Sequence, residues 1–390
     1  MAMKIPVTAG DFRAQARSQL PRFLFDYLDG GANDEHTLHA NETAWRDVTL
    51  RQRVLVDVDQ VDTCTTLGGQ ACVMPVVLAP VGLAGMMAKR GEVQALRAAN
   101  SAGIPFTLST VGICPLSEVE AAASAPFWFQ LYMIRDRGRV ENLLHKAWQA
   151  GCRTLVFTVD LPIPGMRHRD TRNGLGATGL RATTLRLQQV LSRPNWLWNV
   201  ALRGGPLTFG NLSEAVPGAR NLDAFKAWVD SQFDPTVTWV DIAWLRQHWQ
   251  GTLILKGILE AEDARHAVQV GADGIVVSNH GGRQLDGVAA TASKLPAIVA
   301  AVGGQTEILV DGGIRSGVDV FRALALGASG VMIGRPWAWA LAAAGETGIT
   351  DLLQSWQQEL RLAMMMTGVT EIASIGCAQL DHVSEFPAGK

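Results

Sequence analysis

Short apolar runs recur along the chain and are separated by segments of mixed polarity. Each run is five to seven residues long. The eight runs are Val76–Pro80, Pro105–Thr110, Phe127–Tyr132, Thr154–Asp160, Leu253–Gly257, Gly274–Asn279, Glu307–Gly313 and Gly330–Arg335. Uninterrupted apolar runs of this length are typical of parallel strands that are buried on both faces of a sheet. The pattern therefore predicts eight parallel strands.

Several segments between the runs have helical composition and end in glycine, which is a common helix stop. They are Glu92–Gly103, Arg139–Gly151, Ala261–Gly271 and Val318–Gly327. Before the first run, residues 8–45 form a polar helical segment with a turn at Asp29–Gly31. Eight strands with helices between them predict a closed (β/α)8 TIM barrel of the α/β class. An open doubly wound sheet is the alternative, although it does not need eight units.

One interval breaks the alternation, because about ninety residues separate the fourth run from the fifth. It predicts an insertion at residues 171–250, on the C-terminal face where the active sites of such barrels lie. Its first part, Thr171–Ser213, contains five arginines, two tryptophans and several leucines but no Asp or Glu. Basic residues interleaved with Trp and Leu indicate a membrane-surface segment within residues 177–212. The alternative is a lid that packs on the barrel with its arginines in water.

The composition argues against several classes of protein. Hydrophobic residues make up 48% of the 390 residues and charged residues 18%, so the chain can form a large core and is not of the disordered class. A net charge of −2 argues against a nucleic-acid-binding protein. The five cysteines are widely spaced and form no CxxC or Cys/His pair. We therefore expect reduced core thiols, no disulfides and no metal site.

The N-terminus and the apolar runs also bear on location. The first twenty residues lack the apolar region of a secretory signal. No apolar run approaches the roughly 18 residues that are needed to span a bilayer. We therefore expect the protein to fold in the cytoplasm, with attachment to a membrane surface left open.

Polar side chains stand at the ends of several otherwise apolar runs. They are Ser109, Gln130, Tyr132, Thr158, Asp160, Lys256 and Ser278. Buried polar groups cost free energy unless they are paired, and the C-terminal ends of barrel strands lie on one face. The arrangement predicts one shared polar ligand at that face.

The last two runs end in sequences that suit a phosphate group. These are Asp311-Gly312-Gly313-Ile314-Arg315 and Gly334-Arg335. Barrels often bind phosphate at these two loops, through main-chain N–H groups and a helix N-terminus. Glycine also serves ordinary tight turns, but an arginine at each loop adds fork-shaped donors. Together they predict a phosphate site.

His280 is the best candidate for a general base. It follows the sixth run, lies beside two glycines and has Arg283 three residues later. An unperturbed imidazole has a pKa near neutrality, which suits proton transfer. Asp160, at the end of the fourth run, is placed to pair with His280 across the barrel mouth and to raise its basicity. The alternative for Asp160 is a helix N-cap before Pro162.

The stretch SNHGGRQLDG (Ser278–Gly287) resembles the signature of the FMN-dependent enzymes that oxidise L-2-hydroxy acids. The resemblance extends from about Asp11 to Ile375. Further stretches resemble the bacterial respiratory L-lactate dehydrogenases within that family: FLFDYLDGGA, LAPVGLAGM, PFTLST, WFQLY, LVFTVDLP and LVDGGIRSG. The family implies a single FMN-binding (β/α)8 domain over residues 1–390.

The resemblance implies that FMN lies across the barrel mouth. The residues implied to contact it are Ala79, Pro80, Val81, Ser109, Gln130, Thr158, Lys256, Ser278, Asp311, Gly312, Gly313, Arg315, Gly334 and Arg335. Lys256 is implied to lie near the N1/O2 edge of the flavin, where a cation stabilises the charge of the reduced ring. The FMN phosphate is implied to be held by Gly313, Arg315, Gly334 and Arg335.

For the substrate, the resemblance implies that Arg167 and Arg283 hold the carboxylate, because guanidinium forks match that group. Tyr27 is implied to assist them, and Tyr132 to hydrogen-bond the substrate hydroxyl. His280, oriented by Asp160, is implied to remove a proton. The residues implied to be catalytic are thus Tyr132, Asp160, Lys256 and His280.

The implied reaction is the oxidation of L-lactate to pyruvate, with electrons passed to quinone or another respiratory acceptor. Gly82 stands where oxygen-using relatives tend to have alanine, which favours such an acceptor. The basic insertion lies where membrane-associated relatives attach, so we expect a peripheral protein on the cytoplasmic face of the inner membrane. Relatives are commonly tetramers or octamers, which implies a homo-oligomer. The alternatives are another acid, such as mandelate or glycolate, and an FMN-dependent isomerase, against which the paired arginines argue.

Overall fold

Eight parallel strands form a barrel in the structure, a computed structural model that describes residues 5–175, 179–215 and 231–381. The strands are β3 (Val76–Leu78), β4 (Thr107–Ser109), β5 (Trp128–Leu131), β6 (Thr154–Thr158), β7 (Thr252–Ile258), β8 (Gly274–Val277), β9 (Glu307–Val310) and β10 (Gly330–Ile333). Each overlaps one predicted run. The prediction of eight parallel strands is confirmed.

Neighbouring strands follow chain order around the barrel, and β10 pairs with β3. A parallel bridge between Leu78 and Phe106, with a hydrogen bond from Leu78 N to Pro105 O of 2.9 Å, joins β3 to the segment before β4. This contact brings the two ends of the sheet together. The predicted (β/α)8 barrel is thereby confirmed over the open sheet.

Helices surround the barrel and precede it. Their bounds are α1 (Ala9–Gln19), α2 (Arg22–Asp29), α3 (His36–Arg46), Ala84–Met87, Gly91–Ser101, Leu116–Ala122, Arg137–Gln149, His168–Arg172, Leu180–Leu191, Pro194–Trp196, Trp239–His248, Ala261–Gln269, Thr291–Val302, Gly317–Ala325 and Arg335–Thr367. The last is interrupted at Ala344 and Gly345. The predicted N-terminal segment is helical, but the prediction that it is polar is wrong for α2. This helix buries Phe23, Leu24, Phe25 and Leu28 because it covers the barrel mouth.

A hairpin closes the opposite, N-terminal end of the barrel. Its strands are β1 (Thr65–Leu67) and β2 (Gln70–Cys72). Leu67 and Cys72 belong to the same apolar cluster as the barrel interior. Gly68 has a φ of +55°, and a Cβ there would lie 2.6 Å from the Trp128 ring, so the turn requires glycine. The barrel is therefore filled and capped at this end, which leaves the C-terminal mouth for chemistry.

The long interval lies between β6 and β7, as predicted. Helix Trp239–His248 continues the ring of barrel helices, because Asp241 pairs with Arg137 at 2.8 Å and Trp239 packs on His266. The predicted interval of 171–250 thus combines an insertion with one barrel helix. Its residues 176–178 and 216–230 lie outside the described residues.

The five cysteines are all free thiols. Cys72, Cys114 and Cys152 are buried, as predicted, and burial raises the pKa of Cys72 to about 11. The prediction of core thiols is wrong for Cys64 and Cys377, which are exposed. They follow the irregular segments before β1 and after the last long helix, where little chain packs over them.

Candidate active site

A cleft of about 1530 Å³, measured out to its open mouth, lies at the C-terminal ends of the barrel strands. Helix α2 and the insertion form its outer walls. Most of the residues predicted from the sequence line it: Tyr27, Ala79, Pro80, Val81, Tyr132, Thr158, Arg167, Lys256, His280, Arg283, Asp311, Gly312, Gly313, Arg315, Gly334 and Arg335. Four predicted residues lie behind this lining: Ser109, Gln130, Asp160 and Ser278.

His280 and Asp160 form a pair at the ends of β8 and β6. Nδ1 of His280 lies 2.7 Å from Oδ1 of Asp160. A carboxylate only accepts hydrogen bonds, so Nδ1 carries the proton and Nε2 is left as the basic nitrogen. His280 adopts a left-handed backbone with a φ of +55°, and its N–H donates to Ser278 Oγ at 3.1 Å. This turn directs the imidazole away from the strand and over the mouth.

The surroundings keep this imidazole neutral. Burial lowers the pKa of His280, and the nearby Lys256 and Arg283 lower it further, against the opposing effect of Asp160. Burial raises the pKa of Asp160, but the hydrogen bond from His280 and the charge of Lys256 act against it, and the net pKa is lowered. A neutral imidazole beside an ionised carboxylate is the protonation state of a general base.

Lys256 places a positive charge at the floor of the cleft. Its Nζ lies 2.7 Å from Oδ2 of Asp311 and donates to Ser278 Oγ at 2.8 Å. Burial lowers the pKa of Lys256, but the carboxylates of Asp311 and Asp160 outweigh it and the net pKa is raised. The ammonium group is therefore retained at neutral pH, and Oδ1 of Asp311 is buried with no protein partner among the described residues.

A chain of hydrogen bonds runs under the cleft from β4 to β6. Ser109 Oγ donates to Gln130 Oε1 at 3.0 Å, and Gln130 Nε2 donates to Thr158 Oγ1 at 3.1 Å. Of these three side chains, Thr158 reaches the cleft lining. The predicted polar strand ends are thus satisfied partly by one another.

Two guanidinium groups flank Tyr27 at the outer side of the cleft. Cζ of Arg283 lies 5.1 Å and Cζ of Arg167 lies 5.8 Å from the centre of the Tyr27 ring. Burial lowers the pKa of Arg283 to about 10, and the like charge of Arg167 adds to this. In the described part of the chain, Nε of Arg167 is buried without an acceptor. Arg283 remains cationic at neutral pH, and the two guanidinium forks suit this region to an anion.

Tyr132 lies close to these cations and keeps its proton. Burial raises its pKa, and the charge of Asp160 adds to this. Its ring packs edge-on against Phe233 of the insertion, with 5.3 Å between ring centres. The phenol is therefore a hydrogen-bond donor at neutral pH.

The far end of the cleft has the properties of a phosphate site. Gly313 has a φ of +84°, and a Cβ there would lie 2.1 Å from the Asn41 carbonyl oxygen, so only glycine fits. Within the described ranges, the main-chain N–H groups of Gly313 and Gly334 have no protein acceptor. Helix Arg335–Thr367 begins at this point without a side-chain cap. Free N–H groups at a helix N-terminus attract anions.

The two arginines of this end are held by the protein. Arg315 donates to Glu42 Oε1 from Nε at 3.1 Å and from Nη2 at 2.8 Å. Arg335 donates to the carbonyl oxygens of Asp29 at 3.2 Å, Gly30 at 2.8 Å and Gly281 at 2.9 Å. Both guanidinium groups have N–H groups beyond these bonds, which can bind an anion.

Several lining residues were missed in the sequence. Leu175, Phe209 and Phe233 come from the insertion and form an apolar outer wall. Their positions follow no helix or strand period, so the sequence carried no signal for them. Arg169, which contacts Asp29 and Glu35, was also missed, although it lies two residues after a predicted site residue.

A parallel barrel with an imidazole base, a buried ammonium and an anion-binding end at its C-terminal mouth defines an enzyme that uses a phosphate-bearing cofactor. The family model described as FMN-dependent dehydrogenase matches residues 16–382. This chain belongs to the FMN-dependent dehydrogenase family. Its cofactor is FMN, and it is an oxidoreductase that acts on 2-hydroxy acids.

Comparisons with named proteins agree with this assignment. An L-lactate dehydrogenase of Caulobacter vibrioides (strain NA1000 / CB15N) is 54% identical over 365 residues, which are 94% of this chain and 95% of that protein. One of Pectobacterium atrosepticum is 52% identical over 375 residues, with 96% and 97% covered. The crystal structure of the monotopic membrane protein (S)-mandelate dehydrogenase has a TM-score of 0.91 at 32% identity, covering 97% and 99% of the two chains. A mandelate oxidase with (S)-4-hydroxymandelic acid has a TM-score of 0.83 at 40% identity, covering 96% and 98%.

The residues of the cleft fit FMN. The free N–H groups near Gly313 and Gly334 suit the phosphate. The main chain of Ala79–Val81 and the Thr158 side chain offer a mixed polar and apolar wall for a ring. The Lys256 ammonium suits the part of a flavin that becomes negative on reduction.

Proposed function

We propose that this chain oxidises L-lactate to pyruvate, with bound FMN accepting the two electrons. The observation that carries the proposal is the convergence in one cleft of three groups: the neutral His280 imidazole, paired with the ionised Asp160, and the guanidinium groups of Arg167 and Arg283. Such a set suits a 2-hydroxy acid, because guanidinium groups pin a carboxylate while the imidazole takes a proton. Relatives named L-lactate dehydrogenase are 52–54% identical, whereas the mandelate enzymes are 32–40% identical. This difference favours lactate.

Substrate binding begins at the carboxylate, which Arg283 and Arg167 take on either side of Tyr27. The α-hydroxyl then lies between His280 and Tyr132. Because Tyr132 keeps its proton, it donates a hydrogen bond to the hydroxyl oxygen and fixes its orientation. With the carboxylate and the hydroxyl held in place, the single α-hydrogen is directed to the cofactor side in one enantiomer only, so the L isomer is selected.

His280 accepts the hydroxyl proton at Nε2, and Asp160 stabilises the imidazolium that forms. FMN, when bound, would supply the acceptor for the α-hydrogen and for the two electrons of the C–H bond that breaks. Lys256 holds a positive charge at the cleft floor throughout, because Asp311 and Asp160 keep its pKa raised. The apolar wall of Leu175, Phe209 and Phe233 limits the access of water.

The test is the absorbance of the purified holoenzyme before and after L-lactate is added without oxygen. We expect loss of the oxidised flavin band and formation of one pyruvate per flavin. An unchanged band would refute the proposal and favour an isomerase. Steady-state rates with L-lactate, (S)-mandelate and glycolate identify the preferred acid, and a preference of about tenfold for mandelate would replace lactate.

We further propose that residues 1–390 act as one unit that attaches to the cytoplasmic face of the inner membrane and reduces a quinone. Helix Leu180–Leu191 supports this proposal. Leu180, Leu187 and Leu191 lie on one face of it, since a helix turns once per about 3.6 residues, and each is more than half exposed. Trp198 and Leu202, later in the same segment, are also more than half exposed, and the Arg203 guanidinium stacks over Trp198 at 4.4 Å. Among the described helices, none is both long and apolar enough to cross a bilayer.

Co-sedimentation with anionic vesicles tests the attachment, since basic and apolar groups together favour such surfaces. We expect binding by the native chain and its loss when residues 177–212 are deleted or when Leu187 and Leu191 are both changed to Asp. Val240→Asp is the matched control, because Val240 is exposed but lies outside this segment. Equal binding by all variants would refute the attachment. The electron acceptor is tested by comparing two turnover rates: the anaerobic rate with a soluble quinone and the rate with oxygen as the acceptor.

We also propose a homo-oligomer, a tetramer or an octamer. An apolar surface supports it: Val54, Leu55 and Leu362 are more than half exposed, and Arg53 N donates to Met366 O at 2.9 Å, which holds the two segments together. Leu55 is also left-handed, with a φ of +59°, a costly conformation for leucine. Light scattering should give a multiple of 41.9 kDa. A monomeric mass would refute this proposal.

A further inference from the structure

The last turn of α2 and the turn that follows it hold two arginines of the cleft through main-chain carbonyl oxygens. Arg283 Nη1 donates to Tyr27 O at 2.6 Å and to Gly30 O at 2.9 Å. Arg335 Nη2 donates to Gly30 O at 2.8 Å, and its Nε donates to Asp29 O at 3.2 Å. The Gly30 carbonyl is therefore shared by an arginine of the substrate end and an arginine of the phosphate end. A displacement of this carbonyl therefore changes the positions of both guanidinium groups.

Two carboxylates fix this turn from its other side. Asp29, whose side chain is 1% exposed, accepts from Arg13 Nε at 2.5 Å and Nη2 at 2.8 Å, and from Arg169 Nη1 at 2.9 Å. Glu35 accepts from Arg169 Nη2 and, through Oε1, from Gly31 N at 2.8 Å. Glu35 itself is left-handed, with a φ of +68°. The strained turn is thus held by ionic hydrogen bonds.

Arg169 is the cation that bridges both carboxylates. It lies in helix His168–Arg172, two residues after Arg167 and directly after the loop that leaves β6. The same loop touches the turn through a hydrogen bond from Asn33 N to Met166 O of 2.8 Å. Arg13, by contrast, comes from α1 and contacts Asp29 without reaching this loop. Arg169 therefore joins the chain that carries one carboxylate-binding arginine to the turn that holds the other.

We propose that Arg169 is a positioning residue that couples the two arginines of the substrate site to the phosphate end of the cleft. Its guanidinium fork fixes the Asp29–Gly31 turn, and the turn fixes Arg283 and Arg335. Its main chain, one turn of a short helix, fixes Arg167. Without Arg169, Asp29 and Glu35 present like charges to each other, the turn relaxes and the Gly30 carbonyl leaves both guanidinium groups. This proposal rests on the proposed function, in which Arg167 and Arg283 bind the substrate carboxylate.

The test compares Arg169→Ala with Arg13→Ala, which also removes an arginine from Asp29 but leaves the loop after β6 attached to the turn. For Arg169→Ala we expect the KM for L-lactate to rise by about tenfold or more, because a small misplacement at a site costs that much. We expect kcat to change less than KM. We also expect the Kd for FMN to rise, measured by adding FMN to the apoenzyme. For Arg13→Ala we expect a KM and a Kd within about twofold of the native values, since Arg13 is half exposed.

Oxalate binding, read from the perturbed flavin absorbance, gives a second measurement that requires no turnover. Its Kd should rise with Arg169→Ala and stay unchanged with Arg13→Ala. Arg169→Lys serves if the alanine variant does not fold, because lysine keeps the charge but cannot span two carboxylates. Equal oxalate and FMN affinities in the Arg169 and Arg13 variants would overturn the proposal. If native enzyme fails to oxidise L-lactate, the proposed function is wrong, while the two affinities still decide the role of Arg169.

Discussion

Replacement of Asp160 by Asn tests the mechanism most directly. The change preserves shape and keeps an oxygen for the Nδ1–H of His280, but it removes a buried negative charge at 2.7 Å. His280 becomes cationic when it takes the substrate proton. After the substitution, the cations that remain near this imidazolium are Lys256 and Arg283, and both disfavour it.

The size of the effect follows from the geometry. Two unit charges about 4 Å apart interact by about 4 kcal/mol at an effective dielectric constant of about 20. If all of this stabilisation is present in the transition state, its loss lowers the rate by about three powers of ten. Because the amide retains the hydrogen bond, we expect a decrease of about two to three powers of ten.

Anaerobic stopped-flow reduction of the flavin by L-lactate measures this step without product release. The pH profile gives a second readout. Asp160 is the group that raises the pKa of His280, so its removal should move the acidic limb of the profile to lower pH. Glu307→Gln is the control, since Glu307 accepts from Gly68 N at the opposite end of the barrel. A rate within about tenfold of native, or a limb that moves to higher pH, would refute the reasoning.

Three further predictions concern the same cleft. In the native enzyme, kcat/KM should fall as the pH drops through the pKa of His280, because the protonated imidazole accepts no proton. Burial lowers this pKa below the ordinary value of 6.5. A pH profile of kcat/KM whose acidic limb lies above 6.5 would contradict this. Arg283→Lys should raise the KM for L-lactate by about tenfold or more, because lysine cannot form two parallel hydrogen bonds to a carboxylate. A native KM in steady-state kinetics would exclude Arg283 from carboxylate binding. Lys256→Met should lower the free energy of unfolding by about 3–5 kcal/mol, since it leaves the Asp311 carboxylate buried and unpaired. Urea unfolding measures this loss, and adding Asp311→Asn should recover most of it.

The strands were predictable because a barrel strand is buried on both faces and so appears as an apolar run. The boundaries differed by one to three residues at several strand ends. The fourth run was predicted to reach Asp160, but β6 ends at Thr158. Val159 N still donates to Lys256 O of β7 at 2.9 Å, and Asp160 then leaves the sheet and turns towards His280. The polar ends of the runs thus indicated both where strands stop and where the site begins.

Parts of the cleft were also predictable, because strand ends in a closed barrel must converge. His280, Asp160 and Lys256 come from three strands and lie together for this reason. Arg169 and Phe233 could not be found in this way. Both lie in the long interval after β6, where no repeating pattern sets the path of the chain, and their partners are more than a hundred residues away in sequence.

The sequence by itself determined the order of strands and helices, the end of the barrel that carries the polar groups, and the identity of those groups. Burial of apolar runs and the convergence of parallel strands are sufficient for that. Only the tertiary structure decided the protonation states and the positions of the arginines. The pKa of His280 depends on Lys256 and Arg283, and Arg283 is held by carbonyl oxygens of a turn 253 to 256 residues earlier. Such effects depend on distance in space, which local sequence patterns do not encode.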